Sequence, residues 1–326
     1  MFIMTKTVTE ILNTKYPLIQ GPMAWLTDAK LVAAVCNAGG LGVLGTNAGQ
    51  NTVTRDATEN AERLRHQIHK VKKLTDKDFG VNILTASPDE KIDDDPFMKG
   101  FLDVAFEEHL KYYVVVGAPN EAVFQAIKAH DGIIIFRPMT PTIATMVQAE
   151  ALGADILVAT GRDEGGILPA QEYGTFTVVP TMVDAVSIPV LAAGGINDKR
   201  GVNAALALGA QGVFIGTRFL ATKEAPTAEN VKELMIKSTY HDLTQVSASQ
   251  RSLKTGAAQK LAQDYQQNHD GPKMDEAINA LGGLLPAMVK GDVNAGIITS
   301  NTGIDLIRDI PTVAELIDRL MVDYKN

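Results

Sequence analysis

The chain has 326 residues, 45% of them apolar, and a formal net charge of −8 at pH 7. That length suits one large α/β barrel or two smaller domains, and the acidic balance argues against a general nucleic-acid binder. No apolar run reaches the roughly 18 residues of a membrane span. The single cysteine, Cys36, rules out a disulfide within the chain and fits a reducing cytoplasm.

The opening "MFIMTKTVTE" has no basic flank leading into a long apolar core, so it does not read as a signal peptide. Eight short apolar runs then alternate with helical patterns: 17–23, 40–45, 79–84, 112–118, 132–138, 154–160, 189–195 and 212–217. They are continuously apolar, as strands buried on both faces of a parallel sheet must be. "TDAKLVAAVCNAGG" reads as a helix that starts at Thr27 or Asp28 and stops at a glycine pair. Cys36 lies inside it among Val32, Ala33 and Val35, the setting of a buried structural thiol. "RLRHQIHKVKK" reads as a solvated basic helix face rather than a metal site. "ALGADILVATG" and "ALGAQGVFIGT" nearly repeat, each a helix end, a glycine and a buried strand. Strict β-then-α order favours a closed TIM-type (β/α)₈ barrel, with a doubly wound open sheet as the alternative.

Beyond residue ~222 the pattern turns helical and polar, with no strand-like run before "AGIITS". The expected division is a barrel carrying the site over 1–222, a helical insertion or cap over 223–290 after the eighth strand, and a return segment with a final helix over 291–326. A cap near the strand C-termini could shield a site from water. It could equally be a packing appendage, or offer apolar surface to a homodimer.

In a parallel barrel the loops after the strands form the active face. Gly21, Pro22 and Met23 follow the first strand, and Asn82 is a polar amide inside the third. Buried amides need partners, so Asn82 contacts either a ligand ring or neighbouring backbone. Gly194 and Gly195 follow strand seven, and Gly216 and Thr217 follow strand eight. Those two loops are where barrels hold phosphate, and N–H groups at these four residues could cradle one. "GGLGVLG" (39–45) runs from a helix end into a strand, the wrong order for a dinucleotide fingerprint.

"YPLIQGPMAWLTDAKLVAAVCNAGGLGVLG", "FGVNIL", "PVLAAGGI", "ALALGAQGVFIGTRFLATKEA" and "KGDVNAGI" together resemble the nitronate monooxygenase family, formerly the 2-nitropropane dioxygenases. That family includes FMN-dependent enoyl-[acyl-carrier-protein] reductases and quinone reductases. The resemblance runs from residue ~10 to ~315. It implies a TIM barrel, non-covalent FMN, a small-molecule substrate, and either nitronate oxidation by oxygen or NAD(P)H-driven reduction of an acceptor. It also implies flavin contacts by Gly21, Pro22, Met23 and Asn82, a phosphate cradle at Gly194, Gly195, Gly216 and Thr217, close approach at Gly165 and Gly166, and a flavin-adjacent Ser300.

One loop departs from the family pattern. After strand six the family carries a histidine that exchanges a proton near the flavin; here "EGGILPA" places Ile167 there. Thr160 stands where many relatives carry an acidic residue. General acid–base catalysis contributes about 10²–10⁴-fold, so the loss matters wherever the step needs it. Asp163, Glu164, Tyr173 and His241 are the replacement candidates. Alternatively the reaction needs no protein base, since a nitronate is already an anion, or the protein binds flavin with little turnover.

Overall fold

The computed structural model describes residues 6–324, so the first five residues of the N-terminal stretch lie outside it. The elements begin with α1 (Val8–Leu12), β1 (Leu18–Gln20), α2 (Ala29–Asn37), β2 (Leu41–Leu44), α3 (Ala57–Leu74), β3 (Gly80–Thr85), α4 (Pro96–Glu107) and β4 (Tyr112–Gly117). They continue with α5 (Glu121–Ala129), β5 (Ile133–Pro138), α6 (Ile143–Ala151), β6 (Ile156–Thr160), α7 (Thr175–Val183), β7 (Val190–Ala193), α8 (Lys199–Ala207) and β8 (Gly212–Ile215). Each strand pairs in parallel with the next, and β8 pairs with β1 through Leu18–Val213, Ile19–Phe214 and Gln20–Ile215. The sheet is therefore a closed (β/α)₈ barrel; seven strands fall within the apolar runs of the sequence, and β3 runs one residue past its own, to Thr85.

The strands read as unbroken apolar runs because both faces are covered. Ile19, Val43, Val114, Ile135, Val158 and Leu191 pack together inside the barrel. Their neighbours Leu18, Leu44, Val115, Ile134, Leu157 and Ala192 pack outward against the helices. The inner core is sealed from below by α1: Val8 and Leu12 join it, and Tyr112 donates its hydroxyl to the Leu12 carbonyl at 2.7 Å.

Helix starts are set by side-chain caps worth about 1 kcal/mol each. Asp28 accepts from Leu31, Thr142 from Thr145, and Asp198 from Arg200 and Gly201. On α3, His66 and His69 face solvent while Leu64, Ile68 and Val71 are buried. His69 meets Glu108 at 2.8 Å. No cluster of metal-ligating side chains exists among the described residues. Cys36 is buried, its Sγ accepts from the Gly42 N–H at 3.3 Å, and burial pushes its thiol up to about 12.

After β8 come the short α9 (Thr217–Leu220) and α10 (Glu229–Lys237), then an antiparallel hairpin, β9 (Leu243–Gln245) with β10 (Arg251–Leu253). The insertion continues as α11 (Gly256–Asn268), α12 (Gly271–Ala280) and a wide helical turn at Leu285–Val289. Two expectations change here. The segment contains strands, because the short runs 243–245 and 251–253 are too brief to show a period. "AGIITS" is no strand but extended chain: Leu253 N–H donates to Ile298 O, and Ile298 N–H to Ser252 Oγ. The final helix expected in the return segment is α13 (Val313–Leu320), which Pro311 keeps from extending backward and Thr312 caps.

Two apolar clusters hold the insertion. One joins Val231, Met235, Leu285 and Met288 to Trp25 and Leu26 of the loop after β1. The other, Val246, Ala258, Leu261, Ala262 and Ile278, lies within the insertion and reaches Ile297 of the return segment. Trp25 has φ +70°, a strained backbone for a bulky residue, held by its N–H donating to Thr46 O at 2.8 Å.

Candidate active site

The mouth of the barrel is built by the inward-facing residues at the strand ends. Asn82 and Leu84 alternate with the outward-packing Val81 and Ile83, so they point into the barrel. Leu84 is 49% exposed, so this end of the barrel is open to solvent. Asn82 is buried, and its Nδ2 donates to Val114 O at 3.0 Å. No described residue donates to its Oδ1. Thr160 continues the inward set of Ile156 and Val158, and its buried hydroxyl has no partner.

Loops after β7 and β8 lie side by side because those strands pair. Gly194 and Gly195 have φ of +104° and +74°, the left-handed region that favours glycine. A Cβ on Gly195 would stand 3.2 Å from Asp163 Cβ. Gly216 opens α9, and a Cβ there would meet only Met23, 3.4 Å from its Sδ. Among the described residues none accepts the backbone N–H groups of Gly194, Gly195, Gly216 or Thr217. At Gly216 and Thr217 this follows from a helix start, whose first donors have no intrahelical acceptor. Gly21 is glycine because a Cβ would overlap the Phe214 ring.

The loop after β6 is pinned on several sides. Asp163 Oδ2 accepts from the Thr175 N–H at 2.6 Å and its Oγ1 at 3.0 Å, so it anchors the start of α7. Its carbonyl accepts from the Thr302 N–H at 3.0 Å. Glu164 makes a two-pronged ion pair with Arg137, Nη2 to Oε1 at 2.6 Å and to Oε2 at 2.7 Å. Arg137 is inward-facing at the end of β5, and both side chains are largely covered. Burial pushes the Glu164 carboxyl up, and Arg137 opposes the shift. A Cβ on Gly165 would fall 2.5 Å from Ser300 C and 2.6 Å from Thr217 Oγ1, so the loop, the return segment and α9 meet there. Gly166 is exposed.

Ile167 is half exposed and bridges Gln250 of the hairpin turn. Leu168 N–H donates to Ser249 O at 2.7 Å, and Arg251 donates to Glu164 O at 2.9 Å. The insertion thus grips this loop directly. Of the four replacement proton carriers, Asp163 and Glu164 are held by these partners. Tyr173 is 56% exposed on the rim. His241 is exposed beside Tyr240, ring centroids 4.0 Å apart.

Three features escaped the sequence reading. Arg137 sits in "GIIIFRP", and a lone charge ending an apolar strand was its available signal. Arg251 had none, since its hairpin was invisible. Asn197 and Asn301, 104 positions apart, exchange amide hydrogen bonds and tie the β7 loop to the return segment. Only the fold brings them together.

A family model described as nitronate monooxygenase matches residues 5–323. The chain is 30% identical to a (3aS,4S,5R,7aS)-5-hydroxy-7a-methyl-1-oxo-octahydro-1H-indene-4-carboxyl-CoA dehydrogenase of Rhodococcus jostii, covering 99% of this chain and 96% of the relative. It is 31% identical to a probable nitronate monooxygenase of Staphylococcus aureus, covering 80% of each. FabK from Thermotoga maritima superposes with a TM-score of 0.83 at 30% identity, over 98% of this chain and 96% of that one. Nitroalkane oxidase from Streptomyces ansochromogenes shares the fold, with a TM-score of 0.76 at 22% identity over 97% and 96%.

Proposed function

The chain belongs to the nitronate monooxygenase family of flavin-dependent oxidoreductases, and from that premise we propose that it binds FMN and oxidises nitronates with oxygen. The observation that carries this reading is the set of four backbone N–H groups, at Gly194, Gly195, Gly216 and Thr217, that lack a protein acceptor. They suit the phosphate of a mononucleotide. Met23 beside Gly216, Gly21 with Pro22, and Asn82 would line the ring end. Bound flavin would supply the redox chemistry, accepting electrons from the substrate and delivering them to an acceptor.

The chain's own residues orient and shelter rather than exchange protons. Asp163 is committed to Thr175 and Thr302, and Glu164 to Arg137. A nitronate needs no carbon-bound proton removed, so a mouth without a free base suits it. The insertion, 223–290, grips the β6 loop and would keep water from that side of the site.

Similarity to FabK supports a second reading, in which NAD(P)H reduces the flavin and an enoyl thioester or quinone reoxidises it. The experiment is anaerobic mixing of the purified yellow protein with a nitronate and, separately, with NADH, following flavin absorbance. Bleaching by the nitronate upholds the first reading. Bleaching by NADH alone, reversed by an enoyl thioester, replaces it with the second. A protein that stays colourless after FMN is added sinks both.

A further inference from the structure

β5 ends on a charge inside the barrel. Ile135 lies in the inner core, and Arg137, two residues on, shares its face. Val116 stands opposite Arg137 on β4, and Leu84 opposite Val116 on β3, so the wall on that side is apolar. On the other side the register Ile135–Ile156 continues to Val158, and Thr160 is the next inward residue toward the open end. Arg137 is only 8% exposed. Replacing a buried ion pair by well-packed apolar residues is often neutral or stabilising, so stability does not account for a charge here.

The guanidinium has five N–H donors. Glu164 takes only those of Nη2, its two oxygens at 2.6 and 2.7 Å. Nη1 reaches the Met139 thioether at 3.7 Å, a weak acceptor, and Nε meets no acceptor among the described residues. On the next strand the buried Thr160 hydroxyl has no partner either. Unspent donors on neighbouring strands at an open barrel end mark where a ligand's acceptor belongs.

The charge balance agrees. Asp163 and Glu164 face three guanidiniums, those of Arg137, Arg162 and Arg251, while Glu172 lies exposed beside Arg162. The inner side of the β6 loop thus carries an excess of positive charge. What fits is a small oxyanion with an apolar body behind it. It has one charge for Arg137 and no second charge for Leu84, Val116 and Val158 to bury.

We propose that Arg137, steadied by Glu164, binds the anionic end of the substrate. A nitronate carries its negative charge on oxygen, where Arg137 can donate a charge-assisted hydrogen bond. Only the identity of the anion rests on the nitronate reading. Arg137 contacts the substrate, and Glu164 is a positioning residue that acts through it.

The test titrates flavin-loaded protein calorimetrically with butyrate, which has the shape and charge of the nitronate of 1-nitropropane but nothing to oxidise at nitrogen. Butyramide is the neutral control and succinate the doubly charged one. Wild type should bind butyrate saturably, and more tightly than either control. Arg137→Met combined with Glu164→Met removes the pair without stranding a charge. It should weaken butyrate at least about tenfold, the loss of a hydrogen bond to a charged group. Glu164→Gln keeps an acceptor for Arg137 but removes its counter-charge, and should tighten butyrate. A merely structural pair would weaken binding in both variants or in neither. Should the double variant come out without flavin, Glu164→Gln carries the test. The proposal is overturned by absence of saturable butyrate binding, by a control that binds as tightly, by an unchanged double variant, or by a Glu164→Gln variant that fails to tighten. Nitronate bleaching is read on the same samples. A nitronate that leaves wild-type flavin oxidised, while butyrate still depends on Arg137, removes the nitronate reading and leaves the anion site standing.

Discussion

Asn197 and Asn301 each donate their Nδ2 to the other's Oδ1 at 2.9 Å, both side chains buried. Asn197 Nδ2 also reaches Gly303 O at 2.9 Å. The pair braces the loop after β7 against the return segment. Asn301→Ala takes away the donor to Asn197 Oδ1 and one of the two acceptors that Asn197 Nδ2 reaches at 2.9 Å. It should cost about 1–3 kcal/mol in chemical denaturation, the penalty for an unsatisfied buried polar group. Flavin affinity should fall with it. Unchanged stability would show that water replaces the lost partner.

Gly195→Val joins two penalties. The left-handed backbone costs a β-branched residue about 1–2 kcal/mol, and the side chain would crowd Asp163, 3.2 Å from the new Cβ. The variant should lose FMN on gel filtration while its far-ultraviolet circular dichroism stays that of the barrel. Retention at wild-type affinity would move the phosphate elsewhere.

Arg137→Met strands the Glu164 carboxylate. Breaking a buried pair from one side costs about 3–5 kcal/mol. The sign with pH follows from linkage. Burial already raises the Glu164 carboxyl in the folded protein, and without Arg137 it rises further. A raised carboxyl contributes stability that is fully present below its unfolded value and lost as pH rises through the folded value. The deficit against wild type should therefore be largest at neutral pH and shrink on acidification through the variant's raised folded value. Denaturation midpoints across that range check it, and a deficit independent of pH would contradict it.

Ile167→His restores an imidazole where the chain has an apolar side chain. The position is half exposed, so stability should barely change. Oxidation of the neutral nitroalkane, which must lose a proton first, should rise toward about 10²-fold. The preformed nitronate should gain little. Equal effects on the two substrates would mean that position 167 does not face the reacting carbon.

Cys36→Ala should leave flavin content and turnover at wild-type levels. Its thiol, pushed up to about 12, stays protonated and covered. Native protein should resist thiol reagents at pH 8 and react only after unfolding.

The barrel was legible because it rests on local signals. Both faces of its strands are buried, so each is a short apolar run, and Asp28, Thr142 and Asp198 mark helix starts within one turn of themselves. That Gly194, Gly195, Gly216 and Thr217 lie in neighbouring loops was legible for the same reason, since strand order alone puts them after β7 and β8. What stayed hidden depends on distant partners. Nothing in "VSASQRSL" tells that Gln250 bridges Ile167, some eighty positions earlier. Nothing near Arg137 names Glu164. The hairpin is three residues on each side, too short for alternation to rise above chance.

The two apolar clusters of the insertion have a mechanical consequence. α10 and the turn at Leu285–Val289 share their interior with Trp25 and Leu26 of the barrel, so that inner storey cannot lift without tearing open a joint core. α11 and α12 carry a separate interior with Val246. This outer storey should exchange its amide hydrogens as a unit of its own, ahead of α10 and the barrel. The insertion is less a door on a hinge than a fixed lintel with a movable panel above it.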